Sequence, residues 1–297
     1  MRVLAFGEIL WDIIQGEEHL GGAPFNFIAH TAQCGDDATI VSRVGNDFRG
    51  MKVLNRCKTY GVHDRLIQQD EQLPTGTVVV TLHEGQPDYE IVENVAWDNI
   101  AFEGAVANLG NERFDLFYFG TLAQRAARSA ETLERILTTY AFEHRFCDIN
   151  IRKTGYNAPV IRRALSHTTM LKLNHEEVPV VSALAADKVL DIPSFCAWIN
   201  QAYPALHLVI VTAAEKGCFI WYEKKLITVP GIPVQVVDAV GAGDSFSASF
   251  LHTFVRTGKP ELAGRVANGM GAFVATQRGA IPSYTREIRH MIDATSL

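Results

Sequence analysis

The stretch VVDAVGAGDSFSASFLHTF, residues 236–254, decides how this chain is read. Gly241-Ala242-Gly243 is followed at once by Asp244, and a run with helical spacing begins there. Glycines let backbone N–H groups come close to a ligand. A helix start adds its unpaired N–H groups and the positive end of its dipole. Together these make an anion-binding mouth. A carboxylate in that mouth repels an anion, so Asp244 has two readings. It caps the helix, or it accepts the proton of an attacking hydroxyl while the cradle stabilises a transferred phosphoryl group. Two other phosphate motifs are absent. No GxxxxGK[ST] run occurs, and Phe246 stands where a dinucleotide fingerprint needs its third glycine.

A second anchor is LGGAPFNFIAHTAQCG, residues 20–35. Gly21-Gly22 again permit close approach, and Pro24 and Asn26 sit at the turn into a helix. Asn26 offers a donor and an acceptor, which suits a sugar hydroxyl. Asp12 accepts only and suits two adjacent hydroxyls. Each is equally readable as a turn or cap residue.

Around these anchors, short apolar runs at 2–7, 38–45, 115–120, 144–150, 169–174 and 206–212 read as buried strands. Helical patterns at 25–34, 48–60, 127–143, 157–166, 176–186 and 191–203 alternate with them. This predicts βαβ units, a mostly parallel sheet and an α/β fold class. Ligands in such sheets sit beyond the carboxyl ends of the strands. Asp12, Asn150, Arg152 and the run Asn174–Glu177 all fall just past expected strand ends. Residues 75–94 break the alternation, with two β-rich runs around Glu84-Gly85-Gln86-Pro87. They read either as a hairpin lid over a site or as a plain β-arm.

The bulk numbers narrow the class. With 297 residues, 47% of them hydrophobic, the chain has material for a full core. A net charge of -6 argues against a nucleic-acid partner. Cys34, Cys57, Cys147, Cys196 and Cys218 are odd in number and scattered, which speaks against a disulfide framework or a zinc site. Reduced thiols in a cytoplasmic protein are expected. MRVLAFGEILWDII reads as a first strand rather than a signal peptide, because Glu8 and Asp12 interrupt its apolar run. No membrane partner is expected.

The combination resembles the ribokinase-like (PfkB) family of carbohydrate kinases from Gly7 to about Pro282. Asp238-Ala239-Val240-Gly241-Ala242-Gly243-Asp244 matches that family's Asp-Thr-x-Gly-Ala-Gly-Asp signature except at Ala239. Gly21, Gly22, Asn26 and Gly35 are similar to its N-terminal signature, and Asn174-His175-Glu176-Glu177 to its Asn-x-x-Glu motif. The resemblance implies a three-layer α/β/α fold in a single domain, 1–297, with a small β-lid formed by about 13–22 and 75–100. It implies Mg-ATP as phosphoryl donor and Asp244 as general base, with the N–H groups of Gly241, Ala242 and Gly243 on the transferring group. Asn174 and Arg152 would serve the phosphates, and Glu177 a Mg²⁺ through water. Thr212, Gly217 and Asn268 would line the nucleotide, and Asp12, Gly22 and Asn26 the sugar. A potassium ion on backbone carbonyls of Asp238, Val240 and Ala280 is a further family feature. Ala214 stands where the family commonly has Gly.

Within the family, GEILWD, GGAPFN, PTGTV, AWDNI and FGTLAQR look like the fructokinase branch. Phe25 and Trp97 would then wall a sugar ring, and Arg125 would point into the site. Trp97 is also readable as lid-hinge packing, and Arg125 as a surface charge. D-fructose is the expected acceptor, with ribose and 2-keto-3-deoxygluconate as alternatives. Residues 75–100 contain no Lys or Arg, which counts against a phosphorylated acceptor. A non-catalytic sugar sensor is the alternative from another class. A homodimer through the lid is the expected assembly.

Overall fold

The computed structural model describes residues 1–14, 16–83, 86–104, 106–152 and 155–293, and only the backbone of residue 111 and of the described part of 80–89. The Glu84-Gly85 turn of the expected hairpin lies outside the described residues. A nine-stranded sheet runs β13-β12-β11-β10-β9-β8-β1-β4-β5. Its central strands are β1 (Arg2–Phe6), β4 (Asp37–Gly45), β8 (Phe114–Gly120), β9 (Phe142–Asp148), β10 (Met170–Asn174) and β11 (Leu208–Thr212), and β5 (Ile67–Asp70) forms one edge. All of these pair in parallel. An antiparallel hairpin, β12 (Cys218–Tyr222) and β13 (Lys225–Val229), closes the other edge.

Successive residues of a strand face opposite sides of its sheet, and both sides are covered here. From β1, Leu4 and Phe6 join Phe117, Phe119, Leu171 and Val209 under α3 (Ala127–Thr139), α4 (Ala158–His167), α5 (Glu177–Ala186) and α6 (Ile192–Ala202). Val3 and Ala5 join Leu116, Tyr118, Phe146 and Ile210 on the other side. There they meet α1 (Ala23–Gln33), α2 (Phe48–Tyr60), α7 (Ala242–Thr257) and α8 (Pro260–Ala275). This is why the parallel strands read as unbroken apolar runs, and it yields the expected three-layer fold. A short α9 (Arg286–Asp293) packs beside Met270 and Tyr284.

The stretch read as one first strand divides in two. Gly7, at φ 145, breaks it, and β2 (Leu10–Ile14) leaves for a second sheet of order β3-β2-β6-β7. The other members are β3 (Glu17–Gly21), β6 (Gly76–His83) and β7 (Gln86–Ile91). Asp12 therefore lies inside β2, opposite His19 and Val78. The five cysteines are free and buried. Among the described residues, no helix is long and apolar enough to cross a membrane.

Candidate active site

The carboxyl ends of β1, β9 and β10 meet the N-terminus of α7. Gly241 is the N-cap, left-handed at φ 79, and a Cβ there would collide with the backbone of Ala280. The Ala242 N–H is 3.3 Å from the Ala239 carbonyl. Those of Gly243 and Asp244 belong to the first turn and have no intrahelical acceptor. Of the three N–H groups expected to hold a phosphoryl group, that of Ala242 is thus already engaged by Ala239.

Asp244 is partly buried, and Asn26 Nδ2 donates to its Oδ2 at 2.8 Å. Burial, and then the negative Asp148, push its carboxyl up to about 6, against the pull of Lys172, Asn26 and Arg152. Lys172 and Asp148 were not anticipated. Lys172 Nζ donates to both oxygens of Asp148, at 3.1 and 2.9 Å, and Ser247 Oγ donates to Asp148 at 3.4 Å. Burial alone lowers the Lys172 ammonium, but the carboxylates of Asp148, Glu177 and Asp244 outweigh it and hold it above the ordinary lysine value. An ideal Cβ on Gly243 would sit 3.2 Å from Lys172 Nζ. A fixed cation therefore lies directly beneath the anion mouth.

On the facing side, burial pushes Asp12 up to about 6, with Arg152 and His19 opposing and Asp238 assisting. Glu8, also unanticipated, is only 3% exposed. Burial raises it to about 7, opposed by the Glu8 and Ala23 N–H groups and by Arg152. Arg152 thus stands within the fields of Glu8, Asp12 and Asp244 together. Gly22, at φ 102, has the Glu8 carbonyl where a Cβ would go.

Three residues expected at the sugar, Phe25, Trp97 and Arg125, have other surroundings. Phe25 and Trp97 have no accessible surface. The Arg125 guanidinium lies 4.0 Å over the Trp97 ring, grips Asp98 through Nε at 2.8 Å and Nη2 at 2.9 Å, and donates to the Val92 carbonyl at 2.7 Å. Trp97, packed on Gly76, and Arg125 brace the foot of the second sheet, while Phe25 packs edge-on against Tyr60 in the core. The physical reason is burial: a ring without exposed area has no face to offer a sugar.

The Asn-x-x-Glu motif is a reciprocal cap. Asn174 Oδ1 accepts the Glu176 and Glu177 N–H groups, each at 2.9 Å. Glu177 returns one oxygen to Asn174 N–H and the other to Ile151 N–H, each at 2.7 Å. Burial raises the Glu177 carboxyl despite the attraction of Lys172. Each oxygen keeps a second lone pair, so the motif ties together the ends of β9 and β10 and still has acceptors to spare. Among the described residues, no three His, Cys, Asp or Glu side chains converge to hold a metal. An ion placed here would draw its ligands mainly from phosphate and water, as Mg²⁺ commonly does.

Farther along the sheet edge, the Thr212 carbonyl accepts His175 N–H at 2.8 Å. Gly217, at φ 92, packs against the backbone of Val229 and Gly231. Asn268 Nδ2 donates to the carbonyls of Val229, at 3.2 Å, and Pro230, at 2.9 Å. The three expected nucleotide residues thus bound one contiguous loop cluster. Asp238 accepts from Val240 N–H at 3.0 Å and Gly279 N–H at 3.1 Å, tying the signature loop to the Ala280 segment.

With this geometry in view, the family model described as pfkB family carbohydrate kinase matches residues 4–287. The chain is 27% identical to Fructokinase-2 of Zea mays, over 95% of this chain and 90% of the other. It is 26% identical to Fructokinase of Solanum tuberosum, over 96% and 93%. The fold is similar to the crystal structure of fructokinase with bound ATP from Xylella fastidiosa, with a TM-score of 0.85, 24% identity and coverage of 100% and 99%. It is also similar to fructokinase from Vibrio cholerae O395 in fructose-, ADP- and calcium-bound form, with a TM-score of 0.80, 21% identity and 95% of each chain covered. A match across nearly its whole length, joined to a carboxylate at the mouth of α7, makes this chain a member of the pfkB family of carbohydrate kinases.

Proposed function

We propose that the protein transfers the γ-phosphoryl group of ATP to a hydroxyl of D-fructose, with Asp244 as general base. The observation that carries this reading is the Asp244 carboxylate, held by Asn26 and set beside the N–H groups that open α7. A carboxyl near pH 6 is mostly ionised at neutral pH and still basic enough to take a hydroxyl proton in the transition state. The N–H groups of Gly243 and Asp244, the helix end and Lys172 Nζ supply positive potential where charge develops on the transferring group. Asp12 and Asn26 read sugar hydroxyls; Asn26 Oδ1 is buried and has no partner among the described residues, which suits an incoming O–H. Asn174, Arg152, Thr212, Gly217 and Asn268 bound the nucleotide side. When Mg²⁺ is bound, Glu177 would hold one of its waters, and the ion would neutralise phosphate charge. A potassium ion near the Asp238, Val240 and Ala280 carbonyls belongs to the same reading.

Fructose is favoured by the names of the maize and potato relatives, and the absence of Lys or Arg in 75–100 counts against a phosphorylated acceptor. The second sheet is read as a lid, since it carries Asp12 toward Arg152. Beside it, Ile14, Phe48 and Met51 leave apolar surface exposed, which supports pairing of two copies there.

The test is an ADP-release assay with Mg-ATP on fructose, ribose, glucose, mannose, 2-keto-3-deoxygluconate and fructose 6-phosphate, with Asp244→Asn as blank. Fructose-selective turnover that the variant loses by orders of magnitude is expected. Turnover on another sugar discards fructose. Sugar binding without turnover on any sugar favours a sensor.

A further inference from the structure

Helix α1 presents Asn26, His30 and Gln33 at helical spacing, so the three share one face. Asn26 holds the base. One turn on, His30 has no accessible surface. Its Nε2 lies 2.9 Å from the Ala280 carbonyl and its Nδ1 2.8 Å from the Tyr284 hydroxyl. A carbonyl can only accept, so Nε2 carries the proton of a neutral ring, and Nδ1 accepts from Tyr284. Gln33 completes the row: its Nε2 donates to the Pro282 carbonyl at 3.2 Å, and its Oε1 accepts Tyr284 N–H at 3.2 Å.

Ala280 is also the wall behind Gly241. The left-handed Gly241 packs so closely on its backbone that no Cβ fits between them. A shift of the Ala280 peptide therefore either frees or displaces the residue that caps α7. One helix face thus grips both halves of the machinery, the base through Asn26 and the cradle through His30.

We propose that His30 is a positioning residue. Its Nε2–H fixes the Ala280 carbonyl, and through it Gly241, so that the phosphoryl cradle stays in register with the base held on the same helix. This rests on the kinase reading above. The Ala280 carbonyl is also an oxygen assigned there to potassium, so His30 sets its direction as well. Tyr284 keeps the ring in the required tautomer.

The test compares His30→Leu, His30→Gln and Gln33→Ala with the wild type, each first checked for folding by circular dichroism and Tm. A small displacement at the cradle costs about a hundredfold in kcat. His30→Leu is expected to lose about that much while the sugar KM stays within about twofold. His30→Gln, which keeps a side-chain donor, recovers most of the loss. Gln33→Ala, which loosens the same segment without touching Ala280, changes kcat by no more than about twofold. A sugar-free readout accompanies these: the ratio of ADP to ATP dissociation constants with Mg²⁺, by calorimetry, falls toward one in His30→Leu because the γ-phosphate loses its cradle. Equal kcat losses in His30→Leu and Gln33→Ala, no recovery in His30→Gln, or an unchanged ratio overturns the proposal. A wild type inactive on every sugar, with the ratio still falling in His30→Leu, discards the acceptor assignment and keeps the positioning role.

Discussion

The base of this site has a titration that the structure ties to named neighbours, which makes its pH dependence a sharp test. Asp244 sits at about 6 because burial and Asp148 raise it, while Lys172, the Asn26 amide and Arg152 pull it down. A general base must be ionised to act, so turnover is expected to fall on an acid limb near pH 6. At pH 5 about one tenth of the alkaline plateau remains. Asn26→Ala removes the 2.8 Å hydrogen bond to the carboxylate. Such a bond to a charged group contributes about 1.5 kcal/mol, or roughly one pK unit. The limb therefore moves up, to about pH 7, and at pH 6 the variant shows about one tenth of its own plateau where the wild type shows about half of its own. The assay is kcat from pH 5 to 8.5 at saturating Mg-ATP and sugar. Because Asn26 also reads the sugar in our proposal, the plateau height is set aside and only the position of the limb is read. A limb that stays at the wild-type pH, or moves down, refutes the link from Asn26 to the base. Glu8, raised to about 7 by burial and, in a smaller part, by the field of Asp244, is largely protonated where Asp244 titrates, so Glu8→Gln is expected to leave the limb near its wild-type position.

Other consequences are equally direct. Because the Asp244 carboxyl is raised from 3.8 to about 6, the folded state holds its proton more tightly than the unfolded chain, and ionisation opposes folding above about pH 6. Asp244→Asn is therefore expected to be more stable than wild type at pH 7.5, by up to about 3 kcal/mol before discounting the carboxylate area still open to water. The gain vanishes as pH drops below about 4; calorimetry at pH 7.5 and 4 checks this, and equal Tm differences at both pH values count against it. Asp12→Ala is expected to raise the sugar KM at least tenfold and leave the ATP KM within about twofold; the reverse pattern would place Asp12 outside the acceptor pocket. Ala214, where the family commonly carries glycine, is left-handed at φ 47. Ala214→Gly relieves that strain and is expected to add roughly 1 kcal/mol of stability, or about 2 °C in Tm, whereas a lower Tm would show that the loop carries no strain there.

How much of this was legible in the sequence depended on which side of the chain's physics each feature uses. The parallel strands were readable because both of their faces are buried, which forces continuous apolar runs such as VLAF in β1 and VIV in β11. The edge hairpin of β12 and β13 was not, because its strands are only half covered and mix buried Cys218 and Ile220 with partly exposed neighbours. The second sheet was placed too late at its start, since Leu10–Ile14 is as apolar as the strand before it and only the conformation of Gly7 separates them. Motif residues at the cradle were legible because turn chemistry and helix starts are local. For Phe25, Trp97 and Arg125 the sequence left open which way they face, because an aromatic or a cation near a motif gives no sign of which way it points; the hinge-packing alternative for Trp97 fits its burial.

The largest gap, the Lys172–Asp148 pair, carries the most chemistry. Its partners lie 24 residues apart, Asp148 at the buried carboxyl end of β9 and Lys172 among the buried residues of β10. The visible signal was the anomaly itself: a charge in LKL and another in FCD, where an unpaired charge would be prohibitively costly to bury. The pair also explains why Asp244 is usable. A lone Asp148 beneath it would hold the base protonated well into the working range, whereas a lone Lys172 would make it too weak a base to take a hydroxyl proton. Together they leave a carboxyl near 6 and a cation under Gly243. Neutralising both at once, as Lys172→Met with Asp148→Leu, should therefore fold better than either single variant, which leaves an unpaired buried charge. It should still lose turnover, because the cradle has lost its fixed positive charge. A double variant with wild-type kcat would show that the helix N-terminus alone stabilises the transferring group.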